Sequence, residues 1–188
     1  MKPAKLFNHQ VAQNIEALGQ DKDIQRLSRV WSRETNQHGY TYNYSWMGRP
    51  IIQYPQDMIA MQELIWEVKP DLIIETGIAH GGSLIMNASY LAMLDYCEAI
   101  ENGETLDPKK PKRRVLGIDI DIREHNRIAI EAHSMANRID MIQGSSIAQD
   151  IISQVHEYSK NYKKILISLD SNHTHEHVLA ELEAYASL

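Results

Sequence analysis

Cysteine is almost absent. Cys97 stands alone in 188 residues, which excludes an internal disulfide framework and suits a reducing compartment. It sits in an apolar helical stretch, the setting of an inert buried thiol. Long apolar runs are missing too. No stretch approaches the ~20 residues needed to span a bilayer. The opening MKPAKLFNHQ carries no signal-peptide core. The expectation is a soluble, cytoplasmic chain with no membrane span. Basic charge is in deficit, and a net charge of −6 argues against non-specific nucleic-acid binding. There is no internal repeat, no domain linker, no Cys-x-x-Cys pair and no recognisable Ser-His-Asp arrangement.

What is present is ordinary for a globular protein. Hydrophobic residues make up 43% and charged residues 23%. The length is enough for one domain with a real core. The chain is organised around Pro70 to Met86, PDLIIETGIAHGGSLIM. A breaker precedes a short apolar run that ends in Glu75. A turn with Gly77, Gly81 and Gly82 follows, and Ser83 opens a long apolar helix. This is strand, tight turn, helix, the first half of a βαβ unit. Glycines let a ligand approach the backbone, and the N–H groups of a helix start favour an anionic group. The spacing G-x-x-x-G-G is neither the dinucleotide fingerprint nor a phosphate-binding P-loop.

Before this stretch, Leu6–Leu18 and Ile24–Trp31 carry helical patterns, with Asp21 placed to cap the second. Residues 40–46, YTYNYSW, read as a strand, as a lid over a pocket, or as packing of an N-terminal extension. Asp57 starts a helix with Met58, Met61, Ile65 and Val68 on one face. After the central helix, the basic run 109–114 reads as a solvated loop or as a patch for an anionic substrate. Val115–Asp119, Ile139–Gln143 and Lys164–Asp170 read as further strands. Helices are expected over 123–135, 147–159 and 175–188.

Strand and helix alternate throughout. The fold class is therefore α/β, a doubly wound, mostly parallel sheet of Rossmann-like type. Leu72–Glu75 should be flanked by Val115–Asp119 on one side and Lys164–Asp170 on the other. Residues 1–55 form an N-terminal helical and aromatic extension, and residues 56–188 the ligand-binding domain. The run 165–169 is too apolar for a free edge. A further strand is expected beside it, which makes this an incomplete domain lacking its C-terminal strands. Such an edge also admits pairing with a second copy, so homo-oligomerisation stays open.

Three carboxylates end three strands: Glu75, Asp119 and Asp170. Ligands of open α/β sheets bind at those ends, and an acid at the second strand suits ribose hydroxyls. The bland alternative for Asp119 is capping of the next helix, a task Asp121 is also placed to do. Asp170 is followed by His173, His175 and His177, and a carboxylate with nearby histidines can hold a divalent cation or relay protons. The last two histidines equally suit a solvated helix start.

The form E-x-G-x-x-x-G-x-S resembles the first motif of class I S-adenosylmethionine (SAM) methyltransferases. From about Tyr42 onward the chain resembles the bacterial cephalosporin-hydroxylase and rhamnosyl O-methyltransferase family. The carrying stretches are WMGRPIIQYPQDMIAMQELIWEVKPDLIIETGIAHGGSL, VLGIDIDIR, RIDMIQGSS and LISLDSNHTHEHVLAELEAY. The resemblance implies SAM and Mg²⁺, or a similar divalent cation, as cofactors and a small hydroxylated acceptor such as a sugar. It implies that Gly77, Ala79 and Ser83 surround the methionine part, with Glu75 and Gly81 in the same cofactor site. Asp119 would hold the ribose, and Ser146 would lie near adenine. Asp170 would be a metal ligand and catalytic group, and His173 its neighbour or a general base. Competing functions are a cephalosporin-type hydroxylase and a non-catalytic SAM-binding or assembly module.

Overall fold

Leu72, Ile73 and Ile74 have no exposed surface at all. They form the strand around which the remaining elements assemble. The computed structural model describes residues 3–188. It divides into a first unit ending at Thr41 and a second spanning Tyr42–Leu188. The first unit holds α1 (Pro3–Gln20) and α2 (Lys22–Gln37). Asp21 caps α2 as its sequence position suggests, its Oδ1 accepting the N–H groups of Asp23 at 2.9 Å and Ile24 at 3.1 Å.

The second unit begins with a short antiparallel hairpin, β1 (Tyr44–Trp46) and β2 (Arg49–Ile51). Helix α3 (Pro55–Val68) leads into β3 (Leu72–Thr76), and α4 (Gly82–Asn102) follows. Then come β4 (Arg114–Asp119), α5 (Glu124–Glu131), β5 (Ile139–Gln143), α6 (Gln149–Ser159), β6 (Ile165–Leu169) and α7 (His175–Tyr185). The four long strands form one parallel sheet in the order β5-β4-β3-β6. Leu72 pairs with Arg114 on one side and with Ile165 on the other. The chain thus builds outward from β3 through β4 to β5, then crosses back to place β6 on β3's far side. That reversal opens a crevice at the carboxyl ends of β3 and β6.

Side-chain alternation divides the core between the two faces of the sheet. Ile73 and Val115 face one layer with Ile65 of α3, Leu84, Ile85 and Leu91 of α4, and Ile51 of the hairpin. Leu72, Ile74, Leu116 and Ile118 face the other layer with Ile151 and Val155 of α6 and Tyr185 of α7. Each fully buried aliphatic side chain contributes roughly 1.5–3 kcal/mol. The hairpin lies directly against the start of α4: a Cβ on Gly82 would stand 2.2 Å from the Pro50 carbonyl oxygen. Trp46 donates its indole N–H to Ser89 at 3.0 Å and meets Tyr90 edge-on. Residues 42–55 therefore belong with the sheet, and the division falls at Thr41 rather than after residue 55 as the sequence suggests. Of the readings of the aromatic stretch, the strand holds for Tyr44–Trp46, preceded by a 3-10 turn at Tyr40–Tyr42.

Two expectations need correction. Helix α5 stops at Glu131 instead of running to 135, because the His133 ring accepts the Met135 N–H at 3.1 Å and a 3-10 turn over Ala136–Arg138 takes over. The basic run does not present its last two residues to solvent. Arg114 opens β4 and binds Asp140 at 2.6 Å. Arg113 is buried and binds Asp95 at 2.5 Å, while Arg138 binds the other oxygen of Asp95 at 2.5 Å. Arg113 also donates to the Pro70 carbonyl at 3.1 Å and to Glu98, whose carboxyl that bond holds below its usual range. Among the described residues β6 has β3 as its one strand neighbour, and its five residues are only half buried.

Asp95 is 3% exposed and joins two buried guanidinium groups. Removing one member of a buried ion pair strands the rest. Asp95→Ala is expected to lower unfolding free energy by about 3–5 kcal/mol in urea denaturation. Glu98→Gln, at a 33% exposed side chain, should cost about 1 kcal/mol or less.

Candidate active site

A cavity of about 440 Å³ opens where the strands end. The turn after β3, the end of β4, the loop after β5 and the loop from β6 into α7 all contribute walls. Its volume lies in the range of small-molecule sites.

The turn is backbone held in unusual shape. Gly77 has φ +89°, and a Cβ there would lie 2.2 Å from the Asp170 carbonyl oxygen, so β6's end can approach only a glycine. Ala79 has φ +46°, left-handed for a residue with a side chain. Such strain persists only where the surroundings over-determine it, and here they do. Asp119 Oδ2 accepts the N–H of Ile78 at 2.7 Å and of Ala79 at 3.3 Å. From the other side Asn126 of α5 donates to the Ala79 carbonyl at 2.8 Å. Arg49 of β2 donates to the His80 carbonyl at 3.1 Å and to Asn126 Oδ1 at 3.1 Å. Arg49 and Asn126 carry this clamp and were assigned no role from sequence. An arginine in a hairpin far from the turn in sequence gives no local sign of its target.

Asp119 also accepts the Asp121 N–H through Oδ1 at 3.0 Å. That bond lies within the loop; α5 starts after Arg123 with no side-chain cap, so neither Asp119 nor Asp121 caps it, and Asp119 lines the cavity. A carboxylate has about four lone-pair sites; Oδ2 spends two on the turn and Oδ1 one on Asp121, so Oδ1 keeps one for a ligand hydroxyl.

Gly77, Ala79 and Ser83 line the cavity, whereas Glu75 and Gly81 do not. A Cβ on Gly81 would meet Ile130 at 2.3 Å, so that glycine serves packing of the turn on α5. Glu75 is 1% exposed and lies behind Ser83, whose hydroxyl donates to it. Asn87 donates to its second oxygen at 2.8 Å. Burial pushes the Glu75 carboxyl up to about 8; the Ser83 and Asn87 hydrogen bonds oppose this and the Asp170 charge adds to it. At neutral pH the acid is largely protonated. It faces a second, smaller cavity of about 200 Å³ shared with Asp57, Asn87 and Asp170.

Asp170 stands across the first cavity from Asp119. Gln53 donates to its Oδ2 at 3.1 Å, and His173 Nε2 lies 3.6 Å from its Oδ1. Burial raises its carboxyl, with the His173 charge and the Gln53 bond pulling the other way. His173 is largely exposed. Ser146 is buried, and its hydroxyl donates to Glu181 of α7, a residue that sequence reading passed over. His177 lines the cavity beside them; His175 does not. Among the described residues no three Asp, Glu, His or Cys side chains are grouped to hold a metal ion. No described helix is long and apolar enough to cross a membrane.

The family model for Rhamnosyl O-methyltransferase/CmcI matches residues 38–188. The rhamnosyl O-methyltransferase of Mycobacterium leprae (strain TN) is 28% identical over 140 residues, covering 74% of this chain and 52% of its own. That of Mycobacterium bovis (strain BCG / Pasteur 1173P2) is 26% identical over 155 residues, covering 82% and 51%. The chain spans about half the length of the curated relatives it matches. An apo-structure of CmcI superposes with a TM-score of 0.51 at 23% identity, over 75% of this chain and 51% of that one, a likeness of fold.

The raised Glu75 carboxyl makes a signed prediction. The unfolded chain releases this proton near 4.5, whereas the folded chain keeps it to about 8. Its contribution to stability is thus full below pH 4.5 and falls as pH rises toward 8. Glu75→Gln keeps the shape and cannot ionise. Asn87 Oδ1, without a partner among the described residues, can accept from the new amide after a flip. The variant should match the parent near pH 4.5 and exceed it by up to about 4 kcal/mol at pH 8. Denaturation midpoints at the two pH values measure the gap; a gap of the same size at both would show that ionisation is not its source.

Proposed function

The chain belongs to the rhamnosyl O-methyltransferase/CmcI family, and on that premise we propose that it is a SAM-dependent O-methyltransferase acting on a sugar or another small hydroxylated molecule in the cytoplasm. One observation carries the reading. A single cavity has the clamped glycine turn on its floor, Asp119 at one end and Asp170 with His173 at the other. The cavity fits the cofactor by size and by its polar set: a helix start for a carboxylate, an acid for ribose hydroxyls, and small polar side chains beyond.

SAM supplies a methyl group on a sulfonium. The rest of the work falls to side chains and backbone of this protein. Gly77, Ala79 and Ser83 would hold the amino-acid end, with the first-turn N–H groups of α4 available to its carboxylate. Asp119 would accept from a ribose hydroxyl through Oδ1, and its own bonds to the turn fix it for that task. Ser146 stands toward the base. His173 takes the proton of the acceptor hydroxyl, and Asp170 steadies the imidazolium that results. Most of the rate comes from holding the acceptor oxygen in line.

Asp170 also offers a hard oxygen donor suited to Mg²⁺ or a similar cation, which would lower the acceptor's pKa. The described residues do not assemble a complete ligand set, so no step above passes through an ion.

S-adenosylhomocysteine titrated calorimetrically should bind the parent. Asp119→Ala should weaken it by about tenfold to a hundredfold, the loss of bonds to a charged acceptor; unchanged affinity would remove Asp119 from the site. His173→Gln should leave that affinity within about twofold while lowering methyl transfer to an accepted sugar by roughly 10²–10⁴, the range for a general base. Equal turnover in that variant would take the proton-transfer role from His173.

A further inference from the structure

The loops after β5 and β6 meet at one buried carboxylate. Glu181 of α7 is 1% exposed. Its Oε1 accepts the Ser146 hydroxyl at 2.5 Å and the Ser171 hydroxyl at 2.6 Å. His177, one turn earlier on the helix, places Nε2 3.4 Å from the same oxygen and 3.2 Å from Ser146 Oγ. Glu181 Oε2 has no partner among the described residues. Ser146, Ser171 and His177 line the cavity, whereas Glu181 lies behind them.

Hydrogen counting decides what this wall shows a ligand. Each serine hydroxyl has one hydrogen, and a carboxylate only accepts. Both hydrogens are therefore committed inward. Turning either outward would leave a buried carboxylate still poorer in donors. His177 Nε2 faces two oxygens with no hydrogen left to give, so it carries the ring proton. In the neutral ring Nδ1 is then an acceptor. Three side chains that could each donate or accept have been set by Glu181 to accept only.

We infer that Glu181 is a positioning residue for nucleobase choice: it makes this wall of the cavity select a purine with an exocyclic 6-amino group over one with a 6-oxo group. An amino group brings hydrogens to Ser146, Ser171 or His177. A 6-oxo group brings lone pairs against lone pairs. The inference rests on the reading of this cavity as a nucleoside site, and it adds the residue that enforces the choice of base.

The test is the ratio of dissociation constants for S-inosylhomocysteine and S-adenosylhomocysteine, measured calorimetrically. The parent should prefer the 6-amino ligand by about tenfold or more, since a site built for a hydrogen bond rejects the analogue that cannot make it. Glu181→Leu frees both hydroxyls to rotate, and the ratio should fall to within about threefold. Glu181→Gln keeps an acceptor oxygen for the hydroxyls and should restore most of the preference. A merely structural role for Glu181 would weaken both ligands alike and leave the ratio unchanged, which overturns the inference. So does parity in the parent when both ligands bind. Binding of neither ligand by the parent removes the nucleoside reading itself, and this inference with it. If Glu181→Leu does not fold, the ¹⁵N shifts of the His177 ring in the parent decide. A proton on Nε2, with Nδ1 shifted by the 6-amino ligand and not by the 6-oxo one, supports the inference. A proton on Nδ1 overturns it.

Discussion

The bond between Asp119 and the amides of Ile78 and Ala79 is the contact on which the cavity depends. It ties the end of β4 to the turn after β3, two points 40 residues apart in sequence. Through it the turn keeps a left-handed alanine, and the start of α4 keeps its aim. Arg49 and Asn126 hold the carbonyls of the same turn from outside. With amides drawn to one side and carbonyls to the other, the turn has one available path. Preorganisation of this kind spares a ligand the cost of ordering the loop.

Three strand-end acids occupy similar places and differ in chemistry because their surroundings differ. Glu75 is sealed behind Ser83 with two neutral donors, so burial dominates and the acid holds its proton to about pH 8. Asp119 is met by backbone N–H groups and borders the cavity. Asp170 is half buried, with a histidine on one oxygen and an amide on the other. Desolvation, donors and neighbouring charge sort one residue class into three roles. Buried Glu181 adds a fourth, ordering the hydrogens of its neighbours.

The opposite end of the sheet obeys different demands. There Asp95, Arg113 and Arg138 form a buried ionic knot between α4, the entry to β4 and the entry to β5. It borders neither cavity. The division is usual for parallel sheets, with ligand chemistry at the carboxyl ends of strands. It also explains why two arginines of a basic run, which look like a patch for anions in sequence, serve packing instead.

The sequence by itself determined the parallel α/β plan. Its strands are short apolar runs closed by acids, and its helices carry apolar faces; both signals are local periodicities that survive without knowledge of neighbours. It marked β3 as central and placed β4 and β6 on either side, because each reads as an apolar run closed by an acid. It singled out Gly77, Ala79, Ser83, Asp119 and Asp170, all of which line the cavity. Tertiary structure alone decided the rest. Whether Glu75 faces a ligand or hides behind Ser83, which carbonyl Arg49 reaches, and which hydroxyls Glu181 commands depend on contacts between residues 8 to 47 positions apart or farther. Hydrogen-bond direction, burial and pKa belong to three-dimensional surroundings, and no local pattern of residue types encodes them.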